Sequence, residues 1–153
     1  YEIRLSLVGS EMCISDSIMT SIKRPANIEY LDEIIEFILN EGRILGFEKS
    51  LLNKIHLACE EAIVNVVKYA YTAPDGQIEV QISPPAGRAG MVIDIIDWGQ
   101  PFNPLERPAP DINAAVEDRP IGGLGIFMIK KIMDDVEYFR EEQKNRLKMA
   151  KYF

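Results

Sequence analysis

Residues 60–71 of the 153-residue chain read EEAIVNVVKYAY, and this stretch does most to decide the fold. It completes an apolar pattern that returns every three or four residues, which is the spacing of one buried helix face. We therefore predict a helix over Ser50–Tyr71. Glu61, Asn65 and Lys68 are spaced i, i+4 and i+7, so they share one face of this helix, opposite the apolar stripe. A solvated polar face is the alternative interpretation.

A carboxylate one helical turn from a carboxamide can serve two chemical roles. The amide oxygen of Asn65 is a hard ligand of the kind that Mg²⁺ prefers. The carboxylate of Glu61 can accept a proton from a hydroxyl group or orient a water molecule. The two residues are therefore candidates for metal binding and for general-base catalysis.

Two apolar runs after this helix predict an antiparallel hairpin. Gln77–Ser83 alternates apolar and polar residues, and Met91–Asp97 is mostly apolar. Alternation places Asp97 on an apolar strand face, where an unpaired charge is costly, so the carboxylate must be paired or serve a ligand. It could accept a hydrogen bond from an exocyclic amine, and Gly99 would let a ligand ring approach the backbone. The alternative is an aspartate that caps a turn.

A glycine cluster, Gly122-Gly123-Leu124-Gly125, opens a third predicted helix over Leu124–Asp134. Glycines before a helix N-terminus expose backbone N–H groups and the positive end of the helix dipole, which together bind anions. The cluster is neither a P-loop nor a dinucleotide fingerprint, because no Gly-Lys-Ser/Thr follows it and no strand directly precedes it. A flexible turn is the alternative. The proline-rich segment before it, at about 103–122, has the length of a lid or binding loop.

The residue pattern supplies the remaining elements. Asn27 is a candidate N-cap for a helix that follows it. The other predicted strands are residues 1–8, Ile18–Ile22, Val136–Arg140 and Arg146–Tyr152. This order predicts an α+β fold, a two-layer α/β sandwich with a mostly antiparallel mixed sheet and helices on one face. We expect an N-terminal extension over residues 1–21 and a single domain over residues 22–153.

Composition excludes several classes of function. The 17 basic and 24 acidic residues give a net charge of −7, which argues against a general nucleic-acid binder. No apolar run approaches the roughly 20 residues of a membrane span. Cys13 and Cys59 are too few for a disulfide scaffold or a zinc site, and the single histidine, His56, excludes a His-rich metal centre. A reducing cytoplasm is the expected location.

Taken in chain order, the three motifs resemble the GHKL ATP-binding fold and, more closely, the bacterial anti-sigma-factor serine/threonine kinases. The stretches that carry the resemblance are 60–71 (EEAIVNVVKYAY), 97–104 (DWGQPFNP) and 122–136 (GGLGIFMIKKIMDDV). The Asp-x-Gly-x-Pro-Phe form and the Met-Asp-Asp-Val end favour this group over sensor histidine kinases. A histidine-kinase catalytic domain is disfavoured because the chain has no dimerisation helices with a phosphoacceptor histidine.

The resemblance implies a role for each motif residue. Asn65 would hold Mg²⁺ bridging the ATP phosphates, and Glu61 would be the general base toward a protein serine or threonine. Asp97 would bind the adenine amino group, with Gly99 beside the ring. The residues that would contact the phosphates are Gly122, Gly123, Gly125 and Lys68. The family often has His-Ala-Tyr where this chain has Tyr69-Ala70-Tyr71, a departure that leaves the Glu–Asn pair intact.

The implied function is that of an ATP- and Mg²⁺-dependent serine/threonine protein kinase acting as an anti-sigma factor. It would phosphorylate a small antagonist protein and sequester a sigma factor or a similar regulator, without binding nucleic acid or membrane directly, and a homodimer is expected. The alternative is a nucleotide-gated protein-binding module without significant phosphotransfer. Asn65, Asp97 and the glycines would suffice for that module, and Glu61 would be expendable.

Overall fold

The computed structural model describes residues 18–106 and 123–153, and these ranges contain five strands and three α-helices. The strands are β1 (Thr20–Pro25), β2 (Gln77–Ser83), β3 (Gly90–Asp97), β4 (Asp135–Glu141) and β5 (Lys144–Tyr152). The helices are α1 (Leu31–Leu45), α2 (Lys49–Asn65) and α3 (Gly123–Ile132). The predicted strand over residues 1–8, Gly122 and most of the predicted lid lie outside the described residues.

The five strands form one sheet in the order β1-β2-β3-β5-β4, and every described pairing is antiparallel. The prediction of a mostly antiparallel sheet is confirmed, whereas its mixed character is not found among these strands. Strands β3 and β4 run in the same direction, because each of them is antiparallel to β5. Because β5 lies between them, this parallel relationship produces no parallel pair.

One sheet face and the three helices enclose the hydrophobic core. A row of cross-strand partners runs through this face, from Ile22 in β1 through Val80 and Ile95 to Leu147 in β5. All four side chains are buried, and they belong to the same core cluster as the apolar residues of α1, α2 and α3. The predicted two-layer α+β sandwich is therefore confirmed.

The neighbouring row on this face changes from apolar to polar. Ile78 in β2 is paired with Asp97, Asp97 with Asn145, and Asn145 with Arg140 in β4. Asp97 lies on the core side of β3, as the alternation predicted. The apolar core therefore ends at a row that contains a buried carboxylate and a buried carboxamide.

The predicted helix cap at Asn27 is confirmed. The Asn27 side chain accepts a hydrogen bond from the backbone N–H of Glu29 at 3.0 Å and caps the 3₁₀ turn that leads into α1. The closing hairpin turns at Glu142 and Gln143, which both have positive φ angles. Strand β1 begins at Thr20, so it crosses the predicted boundary between the extension and the domain. No helix in the described ranges is long and apolar enough to cross a membrane.

The helix predicted over Ser50–Tyr71 is not one regular α-helix. Helix α2 ends at Asn65, and residues Val66–Ala70 form one turn of π-helix. The end of this turn is held by the segment after β3, because Gln100 donates its backbone N–H to the carbonyl of Ala70 at 2.9 Å. A π turn has more residues per turn than an α-helix, so it rotates Lys68 away from the line of Glu61 and Asn65.

Candidate functional site

A cleft opens where α2, the end of β3 and the β4–β5 hairpin meet. Asn65 and Asp97, which come from separate motifs, both line it. The remaining lining residues are mostly apolar and comprise Ala62, Val66, Ala70, Ile95, Phe102, Pro104, Tyr138, Asn145 and Leu147. Apolar walls with a few converging polar groups are typical of a small-molecule binding site.

Asp97 is the buried acid of this cleft, with only 4% of its surface exposed. Its Oδ1 atom accepts hydrogen bonds from the backbone N–H of Gly99 at 2.9 Å and from the side-chain amide of Asn145 at 2.8 Å. Oδ2 accepts no hydrogen bond from the described residues. Burial raises the pKa of Asp97 above its usual range, although these two hydrogen bonds and the charge of Arg140 oppose the shift. The carboxylate therefore retains one oxygen that can accept a hydrogen bond from a ligand.

Asn145 holds this carboxylate in place. Its side-chain N–H₂ group donates to Asp97 Oδ1 and to the backbone carbonyl of Gln100, both at 2.8 Å. Its oxygen accepts from the hydroxyl of Tyr138 at 2.5 Å and from the Arg140 guanidinium at 3.2 Å. Arg140 also donates to the backbone carbonyl of Gly99 at 2.8 Å, so the β4–β5 hairpin fixes the segment that follows β3.

Position 99 has no room for a side chain, because the backbone of Ala70 lies against it. A Cβ atom there would lie 2.0 Å from the carbonyl oxygen of Ala70, at the end of the π turn. The close approach between the end of the π turn and the segment after β3 is therefore enough to require a glycine here. That Gly99 also lies beside a ligand ring stays a prediction.

Tyr71 joins this segment to the start of β2. Its hydroxyl donates to the carbonyl of Gln77 at 2.5 Å and accepts from the backbone N–H of Trp98 at 2.8 Å. Its ring lies against Gly76, where a Cβ atom would be 2.3 Å from a ring carbon. The second tyrosine of the Tyr69-Ala70-Tyr71 motif is therefore a structural support at the rim of the site. The ring of Tyr69 stacks on Phe102, a lining residue, with centroids 5.6 Å apart.

Glu61 lies against the glycine-rich start of α3. A Cβ atom on Gly125 would be 2.4 Å from Glu61 Oε2 and 3.2 Å from its Cδ. Gly123 is the first residue of α3, so the backbone N–H groups of this first turn are not engaged within the helix. The carboxylate of α2 and the N-terminal end of α3 are therefore neighbours, although their motifs are far apart in sequence.

The structure brings most of the predicted site residues together. Asn65 and Asp97 line one cleft, Glu61 lies one helical turn from Asn65, and Gly125 contacts Glu61. Glu61 and Asn65 are both half-buried, so their face of α2 is not the solvated face opposite the apolar stripe. Lys68 is exposed and does not line the cleft.

The sequence interpretation missed Asn145, Tyr138 and Arg140, which hold Asp97 and the segment after it. Asn145 lies between the two predicted strands Val136–Arg140 and Arg146–Tyr152, where a polar residue in a turn is common. The signal that identifies it is its cross-strand pairing with Asp97, and that pairing depends on the register of β3 with β5. A sequence pattern that predicts strands does not by itself give this register.

Comparisons with known proteins identify the family of this chain. A family model described as a histidine kinase-like ATPase domain matches residues 24–151. The serine-protein kinase RsbW of Bacillus cereus strain ATCC 10987 is 30% identical over 133 residues, which covers 86% of this chain and 82% of the relative. RsbW of Bacillus mycoides strain KBAB4 is 31% identical over 135 residues, with the same coverage.

Two solved structures share the fold. The crystal structure of the RsbU and RsbW domains of Rv1364c from Mycobacterium tuberculosis matches with a TM-score of 0.62 and 16% identity, covering 88% of this chain and 32% of that one. The histidine kinase domain of the blue-light activated histidine kinase EL346 from Erythrobacter litoralis matches with a TM-score of 0.50 and 15% identity. That match covers 85% of this chain and 66% of the other.

Proposed function

Because this chain belongs to the family of histidine kinase-like ATPase domains, and within it to the serine-protein kinases RsbW, we propose that it transfers the γ-phosphoryl group of ATP to a serine or threonine of a small antagonist protein. The family membership confirms the enzyme class predicted from the sequence, an ATP-dependent protein kinase. The observation that best supports the proposed reaction is the contact between Glu61 and Gly125, beside the cleft that Asn65 and Asp97 line.

The cleft has the chemistry to hold the two ends of ATP. Its apolar walls suit a purine ring, and Asp97 Oδ2 can accept a hydrogen bond from the adenine amino group. The glycine-opened N-terminus of α3 suits the phosphates. The proposed contacts with the phosphates are made by Gly123 and Gly125, together with Gly122 and with Lys68, which would reach in from outside the cleft.

The side-chain oxygen of Asn65 is a suitable Mg²⁺ ligand. No cluster of three or more histidine, cysteine or acidic side chains that could hold a metal occurs in the described ranges. Mg²⁺ commonly binds through one or two protein oxygens together with substrate phosphates, so a single carboxamide in the cleft is compatible with it. When bound, the ion would neutralise charge on the triphosphate.

Glu61 would act as the general base. Its carboxylate would accept the proton of the substrate hydroxyl as the hydroxyl oxygen attacks the γ-phosphorus and the bond to the β–γ bridging oxygen breaks. Backbone N–H groups in the first turn of α3 would hold the phosphoryl oxygens during transfer. Phosphoryl transfer needs no covalent intermediate with the protein. The proposed role of these groups is therefore to hold the hydroxyl and the γ-phosphoryl group in reacting position.

The partners are proposed from the family. We infer that the chain binds a sigma factor or a similar regulator and releases it according to the state of the antagonist. A homodimer, a cytoplasmic location and closure of a lid at about 103–122 over the nucleotide belong to the same proposal. So do the extension over residues 1–21 and the kinase domain over residues 22–153.

A phosphotransfer assay tests the proposed function. The chain is incubated with γ-labelled ATP, Mg²⁺ and a candidate antagonist protein, and the label on the antagonist is mapped by mass spectrometry. We expect phosphoserine or phosphothreonine on the antagonist. Folded protein that binds ATP but labels no antagonist residue would instead favour the nucleotide-gated binding module.

A further inference from the structure

Every hydrogen-bonding position of the Asn145 amide is occupied within the protein. The N–H₂ group has two donors, and both are used, by Asp97 Oδ1 and by the carbonyl of Gln100. Its oxygen accepts from Tyr138 and Arg140 and, at 3.4 Å, from the backbone N–H of Phe102. The side chain is 4% exposed, so it forms the floor of the cleft while having no free donor for a ligand.

These partners also fix which way the amide points. Of the groups around its oxygen, Arg140 and the Phe102 backbone N–H can only donate, and the two groups around its nitrogen can only accept. Rotation of the amide by 180° would set donors against donors and acceptors against acceptors. Asn145 therefore always presents an N–H to Asp97, which ties Oδ1 and leaves Oδ2 as the acceptor that a ligand can meet.

We propose that Asn145 is a positioning residue that acts through Asp97 and makes the cleft select a purine with an amino group at its 6-position over one with a carbonyl there. The inference rests on the proposed function, because it assumes that the cleft binds a nucleoside triphosphate. With Asn145 in place, the base meets a fixed carboxylate oxygen, which an exocyclic amine satisfies and a carbonyl oxygen repels. Without Asn145, Oδ1 keeps only the backbone N–H of Gly99, so the carboxylate is held by one hydrogen bond in place of two.

The test compares ATP with inosine triphosphate, which carries a carbonyl at the 6-position and is otherwise closely matched. Affinities of the full chain for both nucleotides are measured by calorimetric titration in Mg²⁺, and the discrimination ratio is the inosine triphosphate Kd divided by the ATP Kd. We expect Asn145→Leu to lower this ratio by on the order of tenfold or more, because a fixed acceptor is what rejects the carbonyl. Melting by circular dichroism verifies that the variant is folded.

A double-mutant cycle separates positioning from general support. Asp97→Asn should itself lower the ratio, and adding Asn145→Leu to Asp97→Asn should lower it no further, because Asn145 acts only through Asp97. A folded Asn145→Leu variant that loses affinity for both nucleotides equally, with its ratio unchanged, would show that Asn145 merely supports the structure, and the inference would be wrong. The inference would also be wrong if Asn145→Leu lowered the discrimination ratio as much in the Asp97→Asn variant as it does in the unsubstituted chain.

A second variant covers failure of the leucine variant to fold. Asn145→Ala removes the amide that donates to Asp97 without adding the bulk of leucine, and its ratio must also fall. An unchanged ratio in that variant overturns the inference. If the unsubstituted chain binds ATP and inosine triphosphate equally, the inference is wrong while the proposed kinase stands; if it binds neither, the proposed function itself fails.

Discussion

Gly125 and Glu61 are in contact only because residue 125 has no side chain: a Cβ atom there would lie 2.4 Å from Glu61 Oε2. The first turn of α3 therefore closes directly onto the carboxylate of α2. This contact brings the proposed general base to the proposed phosphate-binding helix end, and it explains why the glycine lies inside the helix rather than before it.

Gly125→Ala should separate activity from stability. Alanine favours a helix interior over glycine by roughly 1 kcal/mol, so the free energy of unfolding should change little once the clash is included. The displaced Glu61 carboxylate should lower the phosphotransfer rate at least tenfold, as measured with labelled ATP.

Gly42→Ala provides the contrasting control. A Cβ atom at Gly42 would lie 2.5 Å from a Leu52 methyl group in the core between α1 and α2. That variant should lose about 1–3 kcal/mol of stability from overpacking while it keeps its turnover at a temperature where it is folded. A fully active Gly125→Ala variant would refute the role given to this contact.

Glu61→Gln should abolish transfer and leave nucleotide binding intact. A positioned general base contributes about 10²–10⁴ in rate, and glutamine keeps the shape but cannot take a proton. The matched control is Glu60→Gln, because Glu60 is the neighbouring half-buried acid and lies 3.8 Å from His56, away from Gly125. If Glu61→Gln retains normal phosphotransfer, the base is another group.

Asn65→Ala should weaken ATP binding only when Mg²⁺ is present. Removing the carboxamide takes away a metal ligand, so the Kd in Mg²⁺ should rise more than tenfold, whereas the Kd in EDTA should change little. Asn53→Ala on the exposed side of the same helix is the control and should match the unsubstituted chain. Equal losses in Mg²⁺ and EDTA would show that Asn65 contacts the nucleotide without a metal.

Tyr71→Phe should cost about 1 kcal/mol of unfolding free energy, because one hydroxyl bridges Gln77 and Trp98. Tyr30→Phe is the control, since Tyr30 packs against the core and its hydroxyl makes no hydrogen bond among the described residues. Urea unfolding followed by tryptophan fluorescence measures both variants. Equal stability of the two variants would mean that the bridge contributes nothing.

The buried carboxyl of Asp97 should give stability a measurable pH dependence. Because burial raises its pKa in the folded chain above the ordinary value of 3.8, the folded state binds more protons than the unfolded state between the two values. The contribution of Asp97 is therefore fully present below 3.8 and is lost as pH rises through the raised pKa. The gain in stability from Asp97→Asn, measured by urea unfolding at several pH values, should grow with pH across that window and then level off.

Asp94→Asn is the control for this pH experiment. Burial also raises the pKa of Asp94, on the opposite face of the same strand, against the opposing charges of Arg146 and Lys148. Its variant should show the same sign of pH dependence and retain its affinity for ATP, whereas Asp97→Asn should lose affinity. A gain from Asp97→Asn that shrinks as pH rises would contradict the assignment.

Much of the fold could be predicted from local patterns in the sequence. Period-two alternation predicted the bounds of β2 and the core-facing side of Asp97, and helical spacing predicted the presence of all three helices, although α2 ends six residues before its predicted end. The order of motifs likewise predicted that Asn65 and Asp97 would share a cleft. These successes rely on interactions between residues that are close in sequence or on a resemblance over the whole domain.

The features that local patterns did not predict depend on long-range contacts. The π turn after Asn65 is held by Gln100, which donates to the last two carbonyls of that turn across a large sequence separation. Asn145 acquires its role only through the register of β5 against β3. The close approach of Gly99 to the carbonyl of Ala70 is another contact between residues distant in sequence. None of these contacts leaves a periodic signal in the sequence.

A crystal structure of the chain with Mg²⁺ and a non-hydrolysable ATP analogue tests the central claim most directly. We predict the adenine amino group against Asp97 Oδ2, the metal on the side-chain oxygen of Asn65 and the phosphates at the N-terminus of α3, beside Glu61. A nucleotide bound elsewhere on the molecule, with the cleft between Asn65 and Asp97 left empty, would contradict it.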